Sequence, residues 1–345
     1  MGKSRKKPDA PLLKLLAGQK LTTPPIWLMR QAGRYLPEYR KLREQKAGFL
    51  SLVEDSEAAA EATLQPIDRF HFDAAILFSD ILVIPYALGQ DLTFVKGEGP
   101  KLTPALVNHR LDLLTKLPDR LTPIYETVRR VAHRLSPETT FLGFAGSPWT
   151  VATYMVAGEG SRDQAVTRAM AYRDPQAFSE IIEAIIDLTV LYLDGQIKAG
   201  VDAVQLFDSW AGTLSPQQFE RWVIDPTARL VEKLREKHPN IPIIGFPKGA
   251  ASRIKAYIAD TQVTAIGLDE TIDPYWADQY LPADFPVQGN LDPLVLLAGG
   301  EALDQSITTI LDAFSERPHI FNLGHGILPQ TPLTHVSHLL EKIRG

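Results

Sequence analysis

Eight short, almost wholly apolar runs alternate along the chain with longer stretches of helical period, and this alternation limits the fold more than any other feature. The runs are residues 25–29, 74–78, 140–144, 202–207, 241–246, 263–268, 285–288 and 319–323. Strands apolar at nearly every position are buried on both faces, as in a parallel sheet covered by helices. Helical spacing predicts helices over 56–69, 122–135, 175–199, 215–237, 247–260, 301–315 and 332–344. Thr122-Pro123 reads as an N-cap and first-turn pair, Asp174-Pro175 and Ser215-Pro216 as helix starts, and Gly200 as a stop. The expected fold is therefore α/β: a single-domain (β/α)8 TIM-type barrel. An open doubly wound sheet competes with it. The dinucleotide fingerprint is missing, however, because Gly158-Glu159-Gly160 is followed by Asp163 where a third glycine belongs, and no phosphate-binding P-loop occurs. Glycines and prolines between Gly89 and Pro104 bracket Leu92-Thr93-Phe94-Val95, which predicts an extra β-hairpin leaving one barrel loop. Residues 1–9 read as a disordered basic arm and residues 10–345 as the barrel domain.

The chain contains no cysteine, which excludes disulfides, thiolate nucleophiles, Fe–S clusters and Cys-ligated zinc together. The eight histidines are scattered without ligand spacing, so no metal is expected. A net charge of −5 argues against a nucleic-acid surface while permitting a local basic pocket. No run reaches the ~18 apolar residues of a membrane span. The basic start has no apolar segment behind it, so no secretion signal is read there. The expected address is the cytoplasm.

The densest chemistry lies after the first run. Arg30-Gln31-Ala32-Gly33-Arg34 places two guanidinium groups four residues apart around a glycine, and Arg40 and Arg43 follow. Forked guanidinium donors match the paired oxygens of carboxylates or phosphates. Gly33 would let backbone N–H groups approach a ligand closely. The alternative is a solvated basic helix face with i,i+4 partners such as Glu38. Gly33 and Pro37 interrupt any regular helix here and favour an anion site.

In a parallel barrel, chemistry collects at the carboxyl ends of the strands. Those ends carry Arg30, Ser79-Asp80, Ser147 leading to Tyr154, Asp208-Ser209-Trp210, Pro247-Lys248-Gly249, Asp269-Glu270, Gly289-Asn290 and Gly324-His325-Gly326. Asp80 sits between two apolar runs; it is either a helix N-cap or a cleft carboxylate. His325, between two glycines, is either a turn residue or a hydrogen-bond donor and proton shuttle. Ser209 lies outside any G-x-S-x-G pattern, so it reads as a hydrogen-bonding hydroxyl rather than a nucleophile. Tyr154 reads either as a core tyrosine or as a cleft phenol.

Five segments together resemble the uroporphyrinogen decarboxylase family: Arg30 to Glu38, Phe78 to Leu82, Gly146 to Met155, Leu206 to Gly212, and Asn322 to Ile327. The resemblance runs over roughly residues 10–343 and keeps the family's motif order. It implies a barrel, a homodimer, and catalysis without metal or prosthetic group. It implies a small-molecule substrate, the octacarboxylate tetrapyrrole uroporphyrinogen, whose four acetates lose CO₂ to give coproporphyrinogen. Arg30, Gln31, Ala32, Gly33 and Arg34 would bind carboxylates. Asp80 would meet the pyrrole N–H groups, and Tyr154, Ser209 and His325 would line the same cleft. Asp80 and Arg30 are the expected catalytic residues, with Arg30, His325, Tyr154 or water as proton donor. Two rivals stand beside this: a porphyrinogen-binding protein without turnover, and a cobalamin-dependent methyltransferase relative. The second needs a zinc–thiol site that a chain without cysteine cannot supply.

Overall fold

The alternation folds into a curled parallel sheet wrapped in helices. The computed structural model describes residues 9–95, 99–107 and 111–345. Its strands are β1 (Ala74–Ile76), β2 (Asp91–Val95), β3 (Gly99–Thr103), β4 (Thr140–Gly146), β5 (Ala203–Asp208), β6 (Ile243–Pro247), β7 (Ala265–Gly267), β8 (Val287–Gln288) and β9 (His319–Ile320). Seven of them pair in parallel in the order β1-β4-β5-β6-β7-β8-β9. β2 and β3 form the expected hairpin, antiparallel, with Leu92 opposite Leu102. The first eight residues of the expected arm lie outside the described residues.

The run at 25–29 fills the gap between β9 and β1. Ile26 bridges Phe321 in parallel. On one side the Phe321 N–H donates to the Pro25 carbonyl at 2.9 Å, and on the other the Asp73 N–H donates to the Ile26 carbonyl at 2.9 Å. The Ile26 N–H completes the join by donating to Asp73 Oδ2 at 2.8 Å. The eighth strand of the expected barrel is thus reduced to one bridge, but it links the two edges of the sheet.

Proline sets where two strands begin: β6 starts after Pro242 and β8 after Pro286, later than their apolar runs, whereas β4 extends beyond its run. Pro25, Pro242, Pro286 and Pro318 stand where strands enter the barrel. Their carbonyls accept from Phe321, Val204, Ile266 and Val287 at 2.9, 3.0, 3.1 and 3.0 Å. Having no N–H, none of them can donate a ladder bond, so pairing opens on one side only.

The wall is not purely apolar inside. Trp27 Nε1 donates to Gln288 Oε1 at 3.0 Å, and Gln288 Nε2 donates to Gln205 Oε1 at 3.2 Å. All three side chains are buried. This polar ladder ties the bridging segment at Trp27 to β8 and β5, and each step satisfies groups that would be costly to bury alone.

Most helices form where the periodicity places them. Asp174 caps Pro175–Ala199 by accepting the Ala177 N–H at 3.0 Å, and Gly200 ends that helix at φ +127°. Three expectations change. The helix expected over 215–237 is divided into Pro216–Phe219, a π-helical turn Glu220–Ile224, and Asp225–Lys237. Pro226 cannot donate and its ring crowds the Trp222 carbonyl, so the chain widens one turn to continue. The helix expected over 247–260 begins later, as a 3-10 turn Ala251–Arg253 followed by Ile254–Thr261, because Pro247 still belongs to β6. Thr122 is not a cap: the 3-10 helix Pro118–Leu121 runs straight into Thr122–Arg134 and leaves its side chain no capping role.

Candidate active site

The carboxyl ends of the strands surround a cavity of about 410 Å³, a volume typical of small-molecule sites. Arg30, Tyr154, Ser209, Trp210, Lys248 and His325 are among its lining residues. Residues up to 295 positions apart in sequence meet here because the parallel sheet delivers every strand end to one rim.

Arg30 is held by an uncommon backbone state. Its φ is +64°, the left-handed region that non-glycine residues rarely enter. The surrounding bonds impose it. Asn322 Oδ1 accepts the N–H groups of Met29 at 2.9 Å and Leu323 at 2.7 Å, and the Ile327 N–H donates to the Met29 carbonyl at 2.9 Å. The Arg30 loop and the His325 loop are therefore one hydrogen-bonded unit. Gly33 makes the turn possible, since a Cβ there would stand 2.9 Å from the Arg30 carbonyl oxygen.

The rest of the arginine motif does different work from that expected of it. The Gln31 side chain is buried: Oε1 accepts the Leu28 N–H at 3.2 Å and Nε2 donates to the Ala74 carbonyl at 3.0 Å. It braces the Arg30 loop against β1 and does not line the cavity. Ala32 and Gly33 are half-buried and also outside the lining, and Arg34 is exposed. Arg40 Nη1 donates to the Arg34 and Tyr35 carbonyls at 2.8 and 3.2 Å, stapling the turn. Arg43 lies over the Phe49 ring at 5.3 Å. Glu38 pairs bidentately with Arg69 at 2.7 and 2.9 Å rather than with an i,i+4 neighbour. Arg30 is thus the member of the motif that reaches the cavity.

Asp80 stands beside that cavity, immediately before the lining residue Ile81. Oδ1 accepts the Leu82 N–H at 2.8 Å, a local Asx-type turn that partly fulfils the capping alternative. Among the described residues Oδ2 has no hydrogen-bond donor, which leaves it open to a ligand. The carboxyl is half-open by area yet enclosed by protein. Burial pushes its pKa up from 3.8 to about 6, against the pull of the Leu82 N–H and the Arg30 guanidinium. Asp80 is still largely ionised at pH 7. Tyr154, on helix Pro148–Ala157, feels both Asp80 and Arg30. Burial and the Asp80 charge raise its pKa, so its phenol keeps its proton.

His325 is half-buried, with its ring stacked on Phe246 at 6.5 Å and 18°. Burial, the Arg30 guanidinium and the Lys248 ammonium push its pKa down to about 3. The imidazole is neutral at pH 7, and its buried Nδ1 has no hydrogen-bond partner among the described residues. A proton shuttle works best with a pKa near the working pH, so this shift favours the hydrogen-bonding alternative for His325. The flanking glycines are explained by space. A Cβ at Gly326 would meet Arg30 Cδ at 2.3 Å, and one at Gly324 would meet the Glu270 backbone nitrogen at 2.2 Å. Gly324→Ala is expected to cost roughly 1–3 kcal/mol of stability through forced backbone shifts and to lower kcat/KM at least tenfold by moving His325. Thermal unfolding and steady-state kinetics check it.

Ser209 lines the cavity, and the residue before it is anchored. Asp208 is buried, and its Oδ1 accepts the Thr150 hydroxyl at 2.5 Å, while Thr150 Oγ1 accepts the Trp210 N–H at 3.0 Å. Burial raises the Asp208 pKa to about 7. Lys248 and Trp210 also line the cavity, and the sequence reading gave them no role although both stand at strand ends. Among the described residues no group of three His, Asp or Glu side chains is placed to hold a metal ion. None of the described helices is long and apolar enough to cross a membrane.

Comparison with known proteins gives consistent results. The family model for uroporphyrinogen decarboxylase (URO-D) matches residues 7–345. The chain is 66% identical to the uroporphyrinogen decarboxylase of Sphingopyxis alaskensis, over 97% of this chain and 98% of that one. It is 64% identical to that of Rhizorhabdus wittichii, over 97% of each. Among solved structures, a methyltransferase from Methanosarcina mazei superposes with a TM-score of 0.79 at 18% identity, covering 96% of this chain and 97% of that one. At that identity the likeness is one of fold, and it supports the barrel reading.

Proposed function

This chain belongs to the uroporphyrinogen decarboxylase family, and from that premise we propose that it removes CO₂ from the four acetate side chains of uroporphyrinogen III, giving coproporphyrinogen III. Such a carboxy-lyase serves tetrapyrrole biosynthesis, the route to haem and chlorophyll. The observation that carries the residue assignment is the meeting of Arg30 and Asp80, fifty positions apart in sequence, beside one cavity.

An acetate on a pyrrole loses CO₂ reluctantly because the electron pair left behind needs a sink. A proton added to the adjacent ring carbon makes the ring cationic. The C–CO₂ bond then breaks, its electron pair moves into the ring, and CO₂ departs. A second proton completes the methyl group while the first leaves the ring carbon, so each decarboxylation consumes one proton net.

Asp80 is assigned to the cationic ring. Its unpartnered Oδ2 can accept pyrrole N–H groups, and its charge opposes the positive charge that develops. A fixed charge placed in this way is typically worth about 3–4 kcal/mol. Arg30 is assigned to a substrate carboxylate, where a charged hydrogen bond contributes about 1.5–3 kcal/mol. Neutral His325, the Tyr154 phenol and the Ser209 hydroxyl supply hydrogen bonds around the macrocycle, and protons enter from solvent through the cleft. Residues 10–345 act as one catalytic domain, without metal or prosthetic group. We also propose a homodimer in the cytoplasm, on the strength of the family alone.

Anaerobic incubation with uroporphyrinogen III, then oxidation and chromatography, tests the activity. Hepta- through tetracarboxylate porphyrins are the expected products. Unchanged octacarboxylate would identify a binding protein instead.

The pH dependence is expected to separate Asp80 from His325. With Asp80 at about 6 and His325 at about 3, kcat/KM should fall below pH 6 as the carboxylate protonates. His325→Asn should lower the plateau without removing that limb. A limb that vanishes in His325→Asn would assign it to the histidine.

A further inference from the structure

Among the described residues lining the cavity, Arg30 and Lys248 carry the positive charge, and the mechanism above uses only the first. Lys248 directly follows β6, and its backbone is fixed on several sides. Its N–H donates to the Asp208 carbonyl at 3.0 Å, and its own carbonyl accepts the Gly212 N–H at 2.9 Å. The next N–H, that of Gly249, donates to Asp269 Oδ2 at 2.7 Å. With the backbone held, the side chain starts from a set direction.

The ammonium lies 3.2 Å from Glu270 Oε1, and the two side chains are 25% and 24% exposed. The other carboxylate oxygen, Oε2, is buried with no hydrogen-bond partner among the described residues. Glu270 is therefore a poorly satisfied counter-ion, and a partly exposed Lys–Glu contact contributes little to stability. It occupies the ammonium without locking it. An ammonium also suits a ligand that must be gripped again after each of four reactions. It is a point charge with rotatable donors and tolerates carboxylates in several positions, where a guanidinium fork demands one plane.

We propose that Lys248 is a second carboxylate-binding residue of the cleft. A substrate side-chain carboxylate displaces Glu270 from the ammonium, so that Lys248 and Arg30 hold the macrocycle at two points. Glu270 recovers the ammonium when the substrate leaves. The proposal rests on the uroporphyrinogen reading and adds a specificity-determining residue to it.

Steady-state kinetics under anaerobic conditions on the full chain and its Lys248→Met, Lys248→Arg and Glu270→Gln variants tests this. Lys248→Met should raise KM for uroporphyrinogen III roughly 10- to 100-fold with a smaller change in kcat, and should release hepta- to pentacarboxylate intermediates. Lys248→Arg should restore most of the affinity, and Glu270→Gln should leave KM unchanged or lower it. A purely structural pair predicts the opposite pattern: similar losses of Tm in Lys248→Met and Glu270→Gln, with KM unmoved. A folded Lys248→Met protein with wild-type KM would overturn the proposal. Should Lys248→Met fail to fold, Lys248→Gln carries the same expectation. Binding of oxidised uroporphyrin, read by fluorescence, separates the two readings. A wild-type protein that binds but does not convert its substrate defeats the decarboxylase reading, and the Kd of the Lys248 variants still decides the role of Lys248.

Discussion

Asp80→Asn is expected to lower kcat on uroporphyrinogen III by on the order of 10²–10³-fold while leaving the protein at least as stable as wild type. The two halves have one cause. The carboxylate is enclosed by protein, which lifts its pKa from 3.8 to about 6. Between those values the folded chain holds a proton that the unfolded chain has released, so stability falls as pH rises through that window. At neutral pH the ionised native carboxylate is therefore a net cost to the fold. An amide removes the charge, keeps an acceptor for the Leu82 N–H, and should raise stability by on the order of 1 kcal/mol. Catalysis loses what the charge supplied. Asn can still accept a hydrogen bond, but it cannot balance a positive ring. Thermal unfolding beside anaerobic kinetics reads both quantities. A simultaneous loss of stability and activity would instead make Asp80 a structural residue.

Arg30→Met is expected to lower kcat/KM by on the order of 10²-fold, through two effects that add. The substrate loses a charge-assisted grip worth about 1.5–3 kcal/mol. Asp80 loses the guanidinium that restrains its pKa, so a smaller share of it is ionised at pH 7. The second effect has its own signature: the acid limb of kcat/KM should move to higher pH in Arg30→Met. His325, relieved of its largest cationic neighbour, should titrate closer to its ordinary range, observable by NMR of the imidazole. An unmoved limb would mean that Arg30 acts on the substrate alone. Arg30→Lys keeps a charge but loses the fork, so it should recover the limb position better than the affinity.

The barrel was readable because each strand lies in a short, almost wholly apolar run, and the strand-end rule then pointed to Arg30, Asp80, Tyr154, Ser209 and His325. What the sequence could not convey was direction. Arg30 and Arg34 look equivalent in a motif, but the left-handed turn at Arg30 sends Gln31 into the core and leaves Arg34 in solvent. The glycines flanking His325 make room, one for the Arg30 stem and one for the Glu270 backbone, neighbours that no sequence pattern reveals. Lys248 was visible at a strand end, yet nothing in its neighbours signals a cavity. Its relation to Glu270 exists only across two strands. The break at Glu220–Ile224 went unread in the unbroken helix expected over 215–237, although its physical cause is Pro226, which cannot continue the hydrogen-bond ladder.

A crystal structure of this protein with coproporphyrinogen III, grown without oxygen, would examine the assignment of Asp80 more directly than any rate. The expected result is Asp80 Oδ2 within about 2.7–3.2 Å of pyrrole nitrogens, with Arg30 on a side-chain carboxylate. A macrocycle bound elsewhere, or seated in the cleft with its nitrogens turned away from Asp80, would contradict it.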